Sequence, residues 1–243
     1  MRIFILTSDK TSWMLPACLW LLHKYWPQHP EGLIGGYTPP KFYLPAWAKF
    51  LSLGLFANFP IDRWSDGLIK FLESQPDPFF LWTMDDFWLV RPVDDNGVRL
   101  LFAHLAGSPW LARIDMTTDR LYNGDMQAAG RLGHLHLVST PPNSSYQLSF
   151  QSGLRRREAL LQYLTPGETA AEAETRGAHR MTLASANVLG TVEAPFRYLI
   201  AMQHGQLCID GGGYQVPRVE LPEEDRQVLA GFGYLTPPEL VPA

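Results

Sequence analysis

Two adjacent carboxylates, Asp85 and Asp86, directly follow a run of apolar residues that begins at Phe79. Pro78 precedes the run and a second apolar stretch continues to Val90, so the pattern predicts a strand buried on both faces. A carboxylate is costly to bury alone, and at the end of such a strand it usually meets a cation, a metal or a substrate. The alternative is a structural pair that caps a turn or binds an arginine. This setting favours a site.

An acidic pair at the end of a strand suits a hard divalent cation. Mg²⁺ and Mn²⁺ prefer oxygen ligands, and they are often held by one or two carboxylates together with substrate phosphates. A cation in that position neutralises the charge that develops as a diphosphate leaves. The chain contains no phosphate-binding P-loop, no dinucleotide-binding glycine motif, no nucleophile elbow and no HExxH zinc motif. None of those chemistries is therefore indicated.

Three short segments add groups that could bind a substrate or act on it. Thr7, Ser8 and Asp9 follow the first predicted strand, where they could contact a base or ribose, or else cap the next helix. Gln151 lies in a loop that leads into Arg155, Arg156 and Arg157. This segment could be a loop that faces the substrate, or the arginines could form a solvated basic face of a helix. The solvated face is favoured for Arg156 and Arg157. Further carboxylates follow at Glu172 and Glu174. They could act as general bases, or they could be the acidic residues that are common at the start of a helix.

The composition limits the class of protein. The chain has 243 residues, 46% of them hydrophobic, and a net charge of -4. These values predict one large domain and argue against a surface built mainly for nucleic acid, although they leave room for a local basic patch. The two cysteines, Cys18 and Cys208, lie far apart and indicate a reducing compartment. No apolar stretch approaches the roughly 18 residues of a membrane span, so we expect a cytoplasmic protein.

The first half of the chain alternates strand and helix patterns, which predicts a parallel sheet with helices on both faces. In such sheets ligands bind at the carboxyl ends of the strands. The predicted strands are residues 3–6, 32–37, 79–84, 111–116, 134–138 and 146–150, and residues 196–202 and 206–209 are predicted to form a hairpin. The predicted helices are residues 11–25, 62–73, 94–105 and 154–164, with a shorter helix or turn at 168–177 and a helix or irregular cover at 45–55.

Taken together, four segments resemble small bacterial and phage glycosyltransferases with the GT-A type of nucleotide-diphosphosugar fold. The order and spacing of the segments agree over most of residues 1–200. The segments are residues 6–10, 80–89 with 92–94, 148–156 and 160–169. The resemblance implies an α/β Rossmann-type sandwich with a mainly parallel central sheet and a less regular C-terminal half. It also implies one domain over residues 1–243, with residues 1–110 binding the nucleotide sugar and residues 111–243 facing the acceptor.

The resemblance assigns roles to individual residues. Asp86 is implied as the direct contact of Mn²⁺ or Mg²⁺, and Asp85 as a contact of the donor sugar or ribose. Glu174 is the candidate catalytic base, with Glu172 as the alternative. The donor-binding residues implied are Thr7, Ser8, Asp9, Lys10, Gln151 and Arg155.

The implied activity is transfer of a sugar from a nucleotide-sugar donor, with UDP-sugar as the first expectation, to a hydroxyl acceptor. The acceptor could be a glycan, a small molecule or hydroxymethylated phage DNA. The relatives' tryptophan after the Gln-x-Gly element is Leu154 here, and their aromatic residue is absent from the run 170–174, which indicates a different acceptor or a lost one. Two alternatives stay open: a nucleotide-sugar-binding protein without turnover, and a nucleotidyltransferase on a similar fold.

Overall fold

The computed structural model describes residues 1–58, 60–116, 126–211 and 218–236. Its strands are β1 (Arg2–Leu6), β2 (Gly32–Gly36), β3 (Ala48–Ser52), β4 (Phe79–Met84), β5 (Phe87–Leu89), β6 (Leu111–Asp115), β7 (Gln127–Leu132), β8 (Leu135–Ser139), β9 (Gly153–Arg156), β10 (Asn187–Thr191), β11 (Tyr198–Ile200), β12 (Met202–Gln203) and β13 (Gln206–Leu207). Its α-helices are α1 (Leu15–Tyr25), α2 (Trp64–Glu73), α3 (Asp95–Gly107), α4 (Arg157–Tyr163), α5 (Ala170–Leu183) and α6 (Glu223–Gly231). Short 3₁₀ turns occur at Ser12–Met14, Phe56–Asn58 and Ile61–Arg63.

Within these residues one nine-stranded sheet has the strand order β3-β2-β1-β4-β9-β6-β10-β8-β7. β8 and β9 run against their neighbours, and the other strands share one direction. The predicted α/β class with a mainly parallel sheet is therefore confirmed. Strands from residues 1–110 form one side of the sheet, and strands from residues 111–243 form the other.

Hydrophobic cores cover both faces of the sheet because successive side chains of its buried strands point in opposite directions. In β1, Ile3 and Ile5 pack into the core that contains α1 and α3, whereas Phe4 and Leu6 pack into the core that contains α2, α4 and α5. α3 begins where the sequence predicts, since the Asp94 side chain accepts a hydrogen bond from the Gly97 amide. The helices thus hold the strand ends at fixed positions.

α6 packs on the outside of α1 through a third apolar cluster. A buried carboxylate, Asp225, joins the two helices and accepts hydrogen bonds from the Lys24 ammonium and the Tyr25 hydroxyl. The predicted hairpin around residues 204–205 is present as the pair β12 and β13, while β11 pairs with β5. In the parts of the chain that the structure describes, no helix is both long and apolar enough to cross a membrane.

Two strands occupy segments for which other structures were predicted. Residues 45–55 were predicted as a helix or irregular cover, but β3 pairs in parallel with β2 at the edge of the sheet. Residues 154–164 were predicted as one helix, but β9 inserts antiparallel between β4 and β6 before α4 begins. A Cβ atom at Gly153 would lie 2.7 Å from the Ile114 carbonyl oxygen, so the close approach of β9 to β6 requires glycine there.

The C-terminal half departs from the prediction at two further segments. Residues 146–150 were predicted as a strand, but they form an irregular segment in which Tyr146 has a positive φ of 58°, a conformation that a strand does not contain. The segment predicted as a shorter helix or turn at 168–177 is instead the longer helix α5.

Candidate active site

The carboxyl ends of β1 and β4 bring the two predicted polar segments together. The two strands are parallel neighbours that end side by side, with Leu6 opposite Met84. The Asp85 amide donates to the Leu6 carbonyl at 3.0 Å. The Thr7 hydroxyl donates to Asp85 Oδ2, so the first residue after β1 binds the first residue after β4.

A cleft of about 490 Å³ opens at this edge of the sheet. Its volume is within the range of sites that bind small ligands. Six of the predicted site residues line it, and all of them come from the ends of β1 and β4: Thr7, Ser8, Asp9, Lys10, Asp85 and Asp86. The rest of the lining includes aromatic and aliphatic side chains together with one residue of α5; among these are Tyr37, Leu53, Trp64, Leu68 and Ala170.

The two carboxylates of the acidic pair have different surroundings. Asp85 is 3% exposed and is held by Thr7. Asp86 is half-buried, and its Oδ1 atom is buried with no hydrogen-bond partner among the described residues. Burial raises the pKa of Asp85, against which the Thr7 hydrogen bond acts. Burial and then the charge of Asp85 raise the pKa of Asp86. A buried, unpaired carboxylate oxygen beside a second carboxylate therefore favours a nearby positive charge.

A hard divalent cation fits these residues. Mg²⁺ and Mn²⁺ are commonly bound through one or two carboxylates, and phosphate and water oxygens complete their coordination. The unpartnered Oδ1 atom of Asp86 offers one such oxygen. The described residues contain no group of three or more His, Cys, Asp or Glu side chains that could hold a metal ion together. A cation at Asp86 would thus share its coordination sphere with a bound substrate.

Asp9 connects the two loops on the β2 side of the cleft. Its Oδ1 accepts from the Thr38 amide at 3.0 Å, and its Oδ2 accepts from the Thr38 hydroxyl at 2.8 Å. Tyr37, which precedes Thr38, is a buried wall residue of the cleft, and burial and then the charge of Asp9 raise the pKa of its hydroxyl. The helix-cap alternative for these residues is not observed, since Met14 precedes α1 and makes no side-chain cap bond.

The segment that carries Gln151 lies beside the end of β4. The Trp82 indole donates to the Phe150 carbonyl at 2.8 Å, and the Ser152 hydroxyl donates to Thr83 Oγ1 at 3.0 Å. Gln151 itself accepts a hydrogen bond from the Tyr198 hydroxyl through its side-chain oxygen. The segment is therefore fixed by contacts beneath it, although Gln151 is not among the residues that line the cleft.

Arg155 lies beneath this segment and does not line the cleft. It is 2% exposed, its guanidinium carbon lies 5.3 Å from the Trp82 ring centre, and it donates to the Ser149 and Gln151 carbonyls. Burial and the neighbouring Arg113 lower the pKa of Arg155 to about 9. In this structure Arg155 therefore supports the backbone that carries Gln151.

The two candidate bases lie on different faces of α5. Glu172 forms a capping box with Thr169, accepting from its amide at 3.0 Å, and it also pairs with Arg176 at 2.9 Å. Glu174 is half-buried, and its Oε1 accepts from the Phe150 amide at 2.7 Å. Residues four apart share one face of a helix, so Glu174 lies on the same side as Ala170, which lines the cleft. Glu172 points away from that face.

Tyr37 and Trp64 also line the cleft, although the sequence pattern does not predict them as site residues. Trp64 begins α2, and its ring packs against Phe150 with 4.8 Å between ring centres. The apolar periodicity of α2 predicts a buried face, but no local signal shows that its first residue borders a ligand site.

Neither a protein-family model nor a curated protein matches the sequence. Among solved structures, the chain is similar to a mannosyltransferase from Pyrobaculum calidifontis in complex with GDP-Man and Mn²⁺, with 12% identity, a TM-score of 0.48, and 84% of this chain and 57% of that chain covered. It is also similar to the galactosyltransferase LgtC in complex with donor and acceptor sugar analogs, with 11% identity, a TM-score of 0.39, and 67% and 60% covered. A third similar structure is a CMP:2-keto-3-deoxy-manno-octonic acid synthetase complexed with CTP, with 13% identity, a TM-score of 0.43, and 96% and 98% covered. The chain thus spans less than two thirds of the length of either glycosyltransferase.

Proposed function

We propose that this protein is a metal-dependent glycosyltransferase that moves a sugar from a nucleotide-sugar donor to a hydroxyl acceptor. The proposal depends on one observation: the cleft at the ends of β1 and β4 contains Asp85 beside Asp86, whose buried Oδ1 atom has no partner in the described structure. That arrangement favours a cation that is also coordinated by a bound ligand. A diphosphate is such a ligand, because it binds together with a divalent cation. UDP-sugars are the first donors to test.

In this proposal the polar edge of the cleft holds the donor. Thr7, Ser8 and Asp9 contact the nucleoside, and the exposed ammonium of Lys10 lies near the phosphates. Asp85, kept in place by Thr7, accepts from a hydroxyl of the ribose or of the transferred sugar. Asp86 ligates Mn²⁺ or Mg²⁺, which when bound neutralises charge on the departing diphosphate.

Glu174 is the proposed base. In an inverting displacement the acceptor oxygen bonds to the anomeric carbon, the bond from that carbon to the diphosphate oxygen breaks, and its electron pair leaves with the diphosphate. The acceptor proton passes to Glu174. The Phe150 amide holds Oε1 of that carboxylate, which orients the side chain and leaves Oε2 as the proton acceptor.

The proposal is tested first by binding. Thermal-shift measurements with UDP, GDP, CDP and ADP, each with and without Mn²⁺, should show a rise in Tm for one nucleotide that requires the metal, because a ligand of the folded state alone stabilises it. Asp86→Asn should lose that rise, whereas the exposed surface variant Glu158→Gln should keep it.

Turnover is tested next with the corresponding nucleotide sugars. Release of the nucleoside diphosphate, with transfer to an acceptor or to water, is the expected result. Release of pyrophosphate from a nucleoside triphosphate and a sugar would overturn the proposal in favour of a nucleotidyltransferase. Binding of a nucleotide sugar with no turnover under any condition would instead favour a binding protein.

A further inference from the structure

Besides the acidic pair, the lining of the cleft contains a half-buried indole, Trp64, among apolar side chains. An indole is a flat apolar face, and such faces are suited to the C–H face of a pyranose ring. The carboxylates, the ammonium and every hydroxyl of the lining except that of Tyr37 come from the segments that follow β1 and β4. The cleft therefore combines these polar groups with the aromatic side chains of Tyr37 and Trp64.

Trp64 is held close to the proposed base through Phe150. The Trp64 and Phe150 rings meet edge to face at 64°, with 4.8 Å between their centres. The Phe150 amide binds Glu174 at 2.7 Å, and the Phe150 carbonyl binds the Trp82 indole at 2.8 Å. Phe150 thus contacts the Trp64 indole through its ring and the Glu174 carboxylate through its amide.

A second set of contacts fixes the helices that carry Trp64 and Glu174. The Ser65 amide donates to the Glu168 carbonyl, and the Glu168 amide donates to the Ser65 hydroxyl, both at 2.9 Å. Asp66 accepts from the Gly167 amide at 2.6 Å. The start of α2, which carries the indole, is therefore hydrogen-bonded to the turn that leads into α5, which carries the base.

From this arrangement we infer that Trp64 is the acceptor platform, and that the acceptor is a sugar whose ring stacks on the indole and whose hydroxyl faces Glu174. The inference rests on the proposed function and names the acceptor class of that site. A ring on the indole is bordered by Ala170 and lies on the same side of α5 as Glu174.

The charges of the chain favour a sugar over DNA as the acceptor. Five arginines after Gln151 could form a basic patch for DNA, but each of them binds a carbonyl or carboxylate of the protein itself. Arg156 donates to the Leu105 and Ser108 carbonyls, and Arg157 donates to the Gln75 carbonyl. Arg176 and Arg180 pair with Glu172 and Glu168, and Arg155 is buried. Four of these side chains are buried or half-buried in contacts within the protein and Arg176 is paired on the surface, whereas DNA binding relies on cations that contact phosphates.

The test compares Trp64→Ala and Trp64→Phe with Trp110→Ala. Trp110 is 54% exposed and lies outside the cleft lining, so it is a matched control for removal of an indole. Two rates are measured: hydrolysis of the donor without acceptor, and transfer to a panel of methyl pyranosides. Trp64→Ala should raise the acceptor KM about tenfold or more and leave donor hydrolysis and nucleoside diphosphate affinity close to wild type. Trp64→Phe should recover part of the loss, and Trp110→Ala should match wild type.

The outcomes separate this inference from the proposed function. An unchanged acceptor KM in Trp64→Ala, with transfer still observed, would overturn the platform and leave the glycosyltransferase standing. Weaker nucleoside diphosphate binding in Trp64→Ala would assign the indole to the donor and also overturn it. Transfer to hydroxymethylated duplex DNA but to no pyranoside would reject the acceptor class. Where Trp64→Ala does not fold, Trp64→Phe and binding of methyl pyranosides followed by saturation-transfer NMR decide the question without turnover.

Discussion

Asp86 follows Asp85 in the chain, yet the two carboxylates differ in their contacts: the Thr7 hydroxyl binds Asp85, whereas the buried Oδ1 atom of Asp86 has no partner among the described residues. Two neighbouring carboxylates that are both removed from water repel each other, and this repulsion makes their ionised state costly. Ionisation of both carboxylates is therefore unfavourable in the metal-free protein, and a bound cation would remove this repulsion.

The first prediction concerns the Asp86 side chain. Asp86→Asn should keep or raise the Tm of the metal-free protein, because it removes one charge of the repelling pair. It should abolish the Mn²⁺-dependent part of nucleotide binding and lower turnover by at least about 100-fold. Calorimetry and nucleotide titrations measure both effects. Full activity in this variant would show that Asp86 is not the metal ligand.

The second prediction is the pH dependence of stability without metal. Burial raises the folded-state pKa of Asp85 and Asp86, so between the ordinary carboxylate pKa near 4 and the raised values the folded state binds more protons than the unfolded state. The stability that protonation contributes is complete below about pH 4 and is lost as the pH rises towards neutrality through the raised pKa values. In urea unfolding from pH 4.5 to 7.5, the contribution of these two carboxylates to the free energy of unfolding should therefore decline. The decline should be smaller in Asp86→Asn.

Added Mn²⁺ or Mg²⁺ should reverse this trend. The cation competes with protons for the same oxygens, so its stabilisation should grow from about pH 5 to pH 7.5. A metal effect that is equal at both pH values would contradict binding at the acidic pair.

The third prediction separates the two glutamates of α5. Glu174→Gln should lower kcat by roughly 10²- to 10⁴-fold while the donor affinity stays the same, since only proton transfer is lost. Glu172→Ala should lower the Tm and leave kcat unchanged, because Glu172 belongs to the capping box. Thr169→Ala removes the same cap from its other side and should cost about 1 kcal/mol of unfolding free energy, which makes it the stability control. A larger loss of kcat in Glu172→Ala than in Glu174→Gln would move the base to Glu172.

The strands that build the acidic edge could be predicted from the sequence because their patterns are local. β4 is apolar at every position except Thr83 and follows Pro78, which is the pattern of a strand covered on both faces. The alternation of strands and helices then requires the ends of β1 and β4 to lie at the same edge of the sheet, and Thr7 does meet Asp85 there. The topology thus places Thr7 and Asp85 at one edge of the sheet, and the pairing of β1 with β4 brings them into contact.

The strand β9 could not be predicted, because its stability comes from partners that only the fold supplies. Residues 155–157 are three consecutive arginines, which in isolation indicate a solvated surface. In the structure Arg155 is buried against Trp82 of a distant strand, and the carbonyls of Ser149 and Gln151 in the irregular segment just before β9 accept its hydrogen bonds. The same limit applies to Trp64, whose place in the cleft depends on the packing of α2 against Phe150.

The fourth prediction tests the ion pair that joins α5 to the turn before it, the turn to which the start of α2 is hydrogen-bonded. Arg180 binds both oxygens of Glu168, at 3.0 and 2.8 Å, and Glu168 is only 3% exposed. Arg180→Met leaves that carboxylate buried and unpaired, so urea unfolding should show a loss of roughly 3 kcal/mol. Arg176→Met, four residues earlier on the same helix, breaks only the exposed pair with Glu172 and should leave the midpoint unchanged.

Loss of the Arg180 side chain should also affect the cleft, because the backbone of Glu168 binds Ser65, which is next to Trp64. At a temperature where Arg180→Met remains folded, its acceptor KM should rise while its affinity for the nucleoside diphosphate stays near that of wild type, since the acidic edge lies on other elements. Equal losses of acceptor and nucleotide binding would mean that the variant disturbs the whole sheet. Equal stability of Arg180→Met and Arg176→Met would show that the buried pair does not stabilise the turn before α5.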